Sequence, residues 1–324
     1  MLHIPVFLIL SSVLVAAALT FPTKLVLQSP TNDFFENLAV RPNGNILITS
    51  PVSSTLMMVD PTVANPTLKT IHTFPNVTLA GITEVQPDVY GLITLVLNIT
   101  TTTALPGSIA VWRVDLSTHG PPIITKAASV PDAIFLDGLG SVPGEPDLVL
   151  GSDSAAGLVW QINLQTGAVR IAAKDVAFAP DASATPPFGI NGLHIRNGDL
   201  FFTNTDQQTF ASVPITVRGG NVAQAGRVEI LGSPANATEQ FDDFAFDGEG
   251  RAWVATNPNL LTVFFPPIQS NGLLGRVNGV GNPVEFVNPT SGAFGRGSVA
   301  QEQTLYVTTQ TGQLIAVDTK GIHV

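Results

Sequence analysis

Residues 187–204 read PFGINGLHIRNGDLFFTN. The Asn197-Gly198 pair lies between two apolar, alternating runs, the combination expected of a tight β-hairpin. Just ahead of the first run stands a polar residue, Asn191. The arrangement returns in ENLAVRPNGNILITS from Glu36 and in DDFAFDGEGRAWVATN from Asp242. Each time a polar residue precedes a four-residue apolar strand, a glycine-containing turn and a second apolar strand. Weaker copies start at Ala80 (AGITEVQPDVYGLIT), Asp137 (DGLGSVPGEPDLVLGS) and Ser291 (SGAFGRGSVAQEQTLYVTT).

The six starts, at 36, 80, 137, 191, 242 and 291, are 44 to 57 residues apart. A third strand follows several copies: LMMVDPT, VWRVDLSTHG, VWQINLQTG and LIAVDTKG. A unit of several strands repeated at this period predicts an all-β fold, a six-bladed β-propeller with a central channel. The prediction places one domain over residues 21–324, with the N-terminal KLVLQS completing the last blade. Trp112 and Trp160 fall at equivalent third-strand positions and are expected to pack between blades.

In a propeller the innermost strand of each blade lines the channel. The residue before that strand then stands at one rim, at the same height in every blade. Read around the ring, these residues are Glu36, Ala80, Asp137, Asn191, Asp242 and Ser291. Three carboxylates and an amide facing one axis repel unless protonated or bridged by a cation. Oxygen donors without His or Cys suit Ca²⁺ best, or Mg²⁺. The alternative is that they cap strand ends through backbone hydrogen bonds. His194, three residues beyond Asn191, either touches the site or packs between blades. The apolar stretches TPPFGIN and NPNLLTVFFPP either line the pocket or pack between blades.

Composition agrees with short strands and turns: 29 Gly, 25 Pro and 44% hydrophobic residues in 324, with only 12% charged. The formal charge is −10 with no basic cluster, which argues against nucleic-acid binding. Residues 4–20, IPVFLILSSVLVAAALT, are apolar and then small, short for a membrane span. Residues 1–20 are therefore read as a cleaved secretory leader, with no membrane attachment afterwards. The sequons at Asn76, Asn98 and Asn236 are expected to be glycosylated on that route. Without cysteine, a secreted chain relies on its core alone. The glycine-rich VRGGNVAQAGR lacks the strand-to-helix context of a phosphate loop, and no organic cofactor is expected. A monomer that binds a small molecule is the expectation for partners.

These motifs resemble those of the SMP-30/gluconolactonase/LRE-like family of six-bladed propellers. NPTSGAFGRGSVAQEQTLYVTT is similar to the family's last-blade pattern, ENLAVRPNGNILIT to its first-blade motif, GINGLHI to its Asn-Gly motif, and FDDFAFDGEGRAWVA to its Asp-containing motif. The resemblance spans about Glu36 to Asp318. It implies a divalent cation held by Glu36, Asn191 and Asp242, with Asp242 doubling as a general base for lactone hydrolysis. It also implies that Asp137 contacts substrate, since many members carry at that place an Asn that does so. Ser291, from its place in the ring, and His194, from its nearness to Asn191, are the further candidates for substrate contact. Two positions depart from the pattern: Asn37 and Asp243 follow the Glu and the Asp where small residues are usual.

Three functions follow as expectations. One is a metal-assisted lactonase or esterase, with Asp242 activating water and Asn191 orienting the substrate. Another is a cycloaddition catalyst, as in secreted fungal relatives of this family that join a tropolone-derived quinone methide to a terpene alkene. Such a catalyst works by positioning and by polarising a carbonyl, with Asp242, Asp137 and Asn191 as the catalytic groups. The third is a non-catalytic binding propeller. The departures in the ring favour the second.

Overall fold

In a computed structural model, the described residues are 18–19, 21–31, 33–98, 100–118, 120–269, 274–278 and 284–320. Apart from Ala18–Leu19, the leader assigned to residues 1–20 lies outside them. Six antiparallel sheets of four or more strands follow one another along the chain. We number the blades 1 to 6 and letter their strands A to D from the channel outward. Blade 1 is Asn37–Val40, Ile46–Ser50, Thr55–Val59 and Lys69–Thr73. Blade 2 is Thr78–Gln86, Val89–Leu95, Ala110–Asp115 and Ile123–Ser129. Blade 3 is Leu136–Ser141, Leu148–Asp153, Leu158–Asn163 and Val169–Lys174.

In blade 4, Ile190–Arg196, Asp199–Asn204 and Thr209–Arg218 are followed by two short outer strands, Asn221–Gln224 and Glu229–Gly232. Blade 5 is Gln240–Phe246, Ala252–Asn257, Leu260–Phe264 and Leu274–Asn278, and Ala18–Leu19 adds in parallel to its outer edge. Blade 6 takes three strands from the end of the chain, Pro289–Phe294, Thr304–Thr309 and Gln313–Asp318. Its fourth is Thr23–Gln28, antiparallel to Gln313–Asp318. The segment containing KLVLQS thus closes the ring as the repeat predicts, and no open sheet edge is left between first and last blade.

The core is divided among the six blade interfaces. Leu47, Leu56 and Phe74 of blade 1 meet Leu79, Tyr90 and Leu92 of blade 2. Corresponding clusters join blades 2 and 3, 3 and 4, 4 and 5, 5 and 6, and 6 and 1. Both faces of each sheet are covered by neighbours, so second strands such as Ile46–Ser50 are buried throughout while the outer Lys69–Thr73 is largely exposed. Trp160 belongs to the cluster between blades 2 and 3, and Trp112 stacks edge-on against Phe74 with centroids 5.2 Å apart. The hairpin at Asn197-Gly198 has both φ angles positive, 54° and 89°, as a primed turn requires.

One irregularity recurs and positions the site. In blades 2 to 6 the pairing of strands A and B skips two residues of strand A: 80–81, 137–138, 191–192, 242–243 and 290–291. In blade 1 both Glu36 and Asn37 bond to Thr49. These bulges turn two successive residues per blade toward the axis.

Candidate active site

The bulges build two tiers across the channel. The upper tier is Glu36, Ala80, Asp137, Asn191, Asp242 and Thr290; the lower is Asn37, Gly81, Gly138, Gly192, Asp243 and Ser291. The last blade differs from the sequence expectation by one register. Thr290, not Ser291, is level with Asp242, because Pro289 pairs with Thr309 and Gly292 with Val307. Thr290 turns away from the channel, donating to the Phe35 carbonyl at 2.7 Å.

Above the upper tier lies a cavity of about 320 Å³, lined by Glu36, Ala80, Asp137, Asn191 and Asp242. Its walls are Phe34, Leu79, Leu95, Leu97, Phe135 and Phe188. Phe135 and Phe188 meet edge to face, centroids 5.6 Å apart. Of the two apolar stretches singled out in the sequence, TPPFGIN supplies Phe188 to the cavity. Leu261 and Phe264 of the other are buried between blades.

Asp137, Asn191 and Asp242 are each met by a residue at the end of strand B of their own blade or just past it. Ser154 Oγ donates to Asp137 Oδ2 at 3.3 Å, and Asn191 Nδ2 donates to Thr205 Oγ1 at 3.1 Å. Asn257 Nδ2 lies 3.5 Å from Asp242 Oδ2. Asp242 Oδ1 also accepts from the Asp243 amide at 3.0 Å. Burial, then the charges of Asp137, Asp242 and Asp243, push the Glu36 carboxyl well above its ordinary range. Burial, then Asp137 and Asp243, do the same to Asp242, against hydrogen bonds from the Asp243 amide and Asn257. Asp137 is pushed up to about 6, chiefly by burial and further by Asp243, with the Ser154 bond opposing. Burial and the neighbouring acids thus bias Glu36 and Asp242 toward the protonated form, which donates hydrogen bonds, whereas Asp137, at about 6, is mostly ionised at neutral pH.

The lower tier is wired differently. Asp243 Oδ2 accepts from Asn37 Nδ2 at 3.0 Å and from Ser291 Oγ at 2.8 Å. Its Oδ1 accepts from the Phe244 amide at 2.8 Å and faces His194 Nε2 at 3.3 Å, ion-pair range without hydrogen-bond alignment. Burial raises the Asp243 carboxyl, but His194, Ser291 and the Phe244 amide outweigh it and hold the group below its ordinary value. A Cβ on Gly192 would stand 2.2 Å from Asp243 Oδ1, so only glycine leaves room for this carboxylate.

Ser291 and His194, expected to contact substrate, flank Asp243 and line a second chamber at the opposite end of the channel from the upper cavity. Ser291 is one register deeper than its expected height, and His194 lies further along strand A, toward that opposite end. Sequence reasoning missed the walls Phe34 and Phe135. Each lies two residues before a ring residue, and strand alternation puts i−2 on the same side. That signal was available.

Glu36, Asn191 and Asp242 bring two carboxyls to one cavity, and the Asn191 Nδ2 bond to Thr205 leaves Oδ1 free. In kind these are donors for a hard cation. Among the described residues no group of three or more acids, His or Cys is placed to hold a metal.

No protein-family model matches the chain. A protein of a Phoma species, provisionally named a hetero-Diels–Alderase, is 30% identical over 322 residues, covering 91% of this chain and 88% of that protein. The chain belongs to this hetero-Diels–Alderase family. A Sarocladium schorii protein with the same provisional name is 26% identical over 355 residues, covering 95% of this chain and 86% of that one. Among solved structures, the calcium-binding regucalcin of Agrobacterium tumefaciens superposes with a TM-score of 0.62 at 15% identity, covering 94% and 98% of the two chains. A provisionally named gluconolactonase gives 0.63 at 14% identity, covering 93% and 92%. This likeness shows that the chain shares the fold of these two proteins. Relatives of the chain are thus named as enzymes. Among the described residues no helix is long and apolar enough to cross a membrane.

Proposed function

We propose that the chain is an enzyme of secondary metabolism that catalyses a hetero-Diels–Alder cycloaddition, joining a quinone methide to a terpene alkene in the upper cavity. The observation that carries this reading is a floor of buried acids, with Glu36 and Asp242 pushed well above their ordinary range, beneath apolar and aromatic walls, in a member of the hetero-Diels–Alderase family. The oxygen and terminal carbon of the heterodiene bond to the two alkene carbons. Two σ bonds form as three π bonds become one, with no leaving group and no net proton transfer. No nucleophile is required.

Phe34, Phe135 and Phe188 hold the two apolar partners in contact, which removes several kcal/mol of entropic barrier. Glu36 and Asp242, protonated, donate hydrogen bonds to the heterodiene carbonyl as charge builds on its oxygen. Asp137 and Asn191 orient that oxygen. If Glu36, Asn191 and Asp242 held a divalent cation, it would supply Lewis-acid polarisation of the same carbonyl. The catalyst is proposed to act as a secreted monomer after leader cleavage.

Lactone hydrolysis is the second reading, favoured by the gluconolactonase-like fold and by Asp242 facing the cavity. It needs Asp242 as a base, whereas burial and the neighbouring acids favour its protonated form, a bias that a bound cation would oppose. Purified protein should be mixed with a quinone methide and a terpene alkene, and in parallel with simple lactones. Faster formation of one adduct stereoisomer, with lactones untouched, is expected. A racemic adduct at the buffer rate would overturn the proposal, and lactone turnover would support the second reading.

A further inference from the structure

All three sequons lie on the face where the cavity opens, each within four residues of a cavity-lining side chain. Asn76 precedes Thr78 in the turn from blade 1 to blade 2. Asn98 follows Leu97 in a small hairpin whose Thr102 also lines the cavity, and Asn236 precedes Gln240 at the entry to blade 5. All three side chains are exposed. Asn76 stands in a left-handed turn, φ 62°. The Asn98 Oδ1 accepts from the Thr100 amide at 3.0 Å, an Asx turn that leaves its Nδ2 toward solvent. Asn236 Nδ2 donates to Glu239 at 2.6 Å, and a glycosylated amide keeps one N–H to make that bond.

The same face carries large apolar side chains without cover. Val52, Leu105, Ile134 and Val176 are 71, 57, 56 and 86% exposed. Val52 and Ile134 adjoin the cavity residues Pro51 and Phe135. Val52 and Leu105 belong to loops between strands B and C, Ile134 and Val176 to connections from strand D to the next strand A, and both sets of loops lie on the face where the cavity opens. On the other face Val299 and Ile123 are as exposed, but no sequon stands near them. An acidic, cysteine-free chain with so apolar a rim would tend to associate through it.

We infer that Asn76, Asn98 and Asn236 carry N-linked oligosaccharides that form a hydrated collar around the cavity mouth. The collar covers the apolar rim and keeps macromolecules from it, while small molecules pass between the chains. The inference goes beyond the proposed reaction and does not rest on it; it rests on passage through the secretory pathway.

The full chain should be expressed in a secreting fungal host. Amidase release, which leaves aspartate where a glycan was attached, then maps occupancy by mass spectrometry. All three sites should be occupied. Trimming the folded glycoprotein with an endoglycosidase avoids any folding defect in Asn76→Gln, Asn98→Gln or Asn236→Gln. Trimmed protein should bind an apolar fluorescent dye about twofold more strongly and should sediment partly as dimers or larger species. Unmodified asparagine at these sites would overturn the inference. So would full occupancy with dye binding and sedimentation unchanged by trimming.

Discussion

Asp242 and Asp243 are neighbours in the chain, both face the propeller axis, and their carboxyls are displaced in opposite directions. Asp242 belongs to the upper tier, where burial and the acids around it push its proton affinity up. Asp243 belongs to the lower tier, where Asn37, Ser291, His194 and its neighbour's amide surround it with donors and contacts that favour the charge. Desolvation acts on both. Partners decide which one ionises. In the upper tier Glu36 and Asp242 are biased toward keeping protons that a substrate could accept, and the Asp243 charge of the lower tier adds to that bias.

The largest break in this contrast should come from Gly192→Ala. Its Cβ would meet Asp243 Oδ1 at 2.2 Å and Asp243 Cα at 2.7 Å, forcing the strands of blades 4 and 5 apart. A loss of about 3 kcal/mol in urea unfolding is expected; an unchanged midpoint would show that Asp243 is not fixed in place.

Asp243→Asn should cost about 2 kcal/mol by removing charge-assisted hydrogen bonds. The folded carboxyl is depressed, so its stabilising effect is present above the unfolded value and lost as pH falls through the folded one. The variant should therefore be less stable than wild type at neutral pH and lose that deficit in acid. Thermal melts across pH would reveal it.

Removing the upper acids should do the reverse. Their raised carboxyls take up protons on folding, so stability falls as pH rises from the unfolded to the folded pKa. For Asp137 that window runs from 3.8 to about 6. Asp137→Asn should flatten the slope there. It, Glu36→Gln and Asp242→Asn should each gain on the order of 1 kcal/mol at neutral pH, while Glu36→Gln and Asp242→Asn slow the cycloaddition. Variants less stable than wild type at neutral pH would mean that the tier is held as carboxylates. The smallest effect is expected in the walls: Phe188→Ala should raise KM for the alkene by about threefold with the tiers untouched, as steady-state kinetics would show.

Much of this was legible in the sequence. The hairpin pattern with its Gly-containing turns repeats strongly enough to count the blades, and five of six upper-tier residues follow from it. The sixth, Ser291, slipped by one because a bulge inserts a residue and both Thr290 and Ser291 in NPTSG are small and polar. The lower tier had a signal: Gly81, Gly138 and Gly192 each follow a ring residue in successive blades, as Asn37 and Asp243 do elsewhere. What made it unreadable was the network itself. Asp243 joins residues from four blades, and only their closure in space shows that its charge is satisfied.

Where protons reside at neutral pH decides the chemistry of the cavity floor. Infrared spectra of the folded protein in the protonated-carboxyl region, compared with those of Asp242→Asn and Glu36→Gln, measure this directly. A band that shrinks in both variants is the result predicted. Its absence from the wild-type spectrum at neutral pH would contradict the neutral cavity floor on which the proposed catalysis depends.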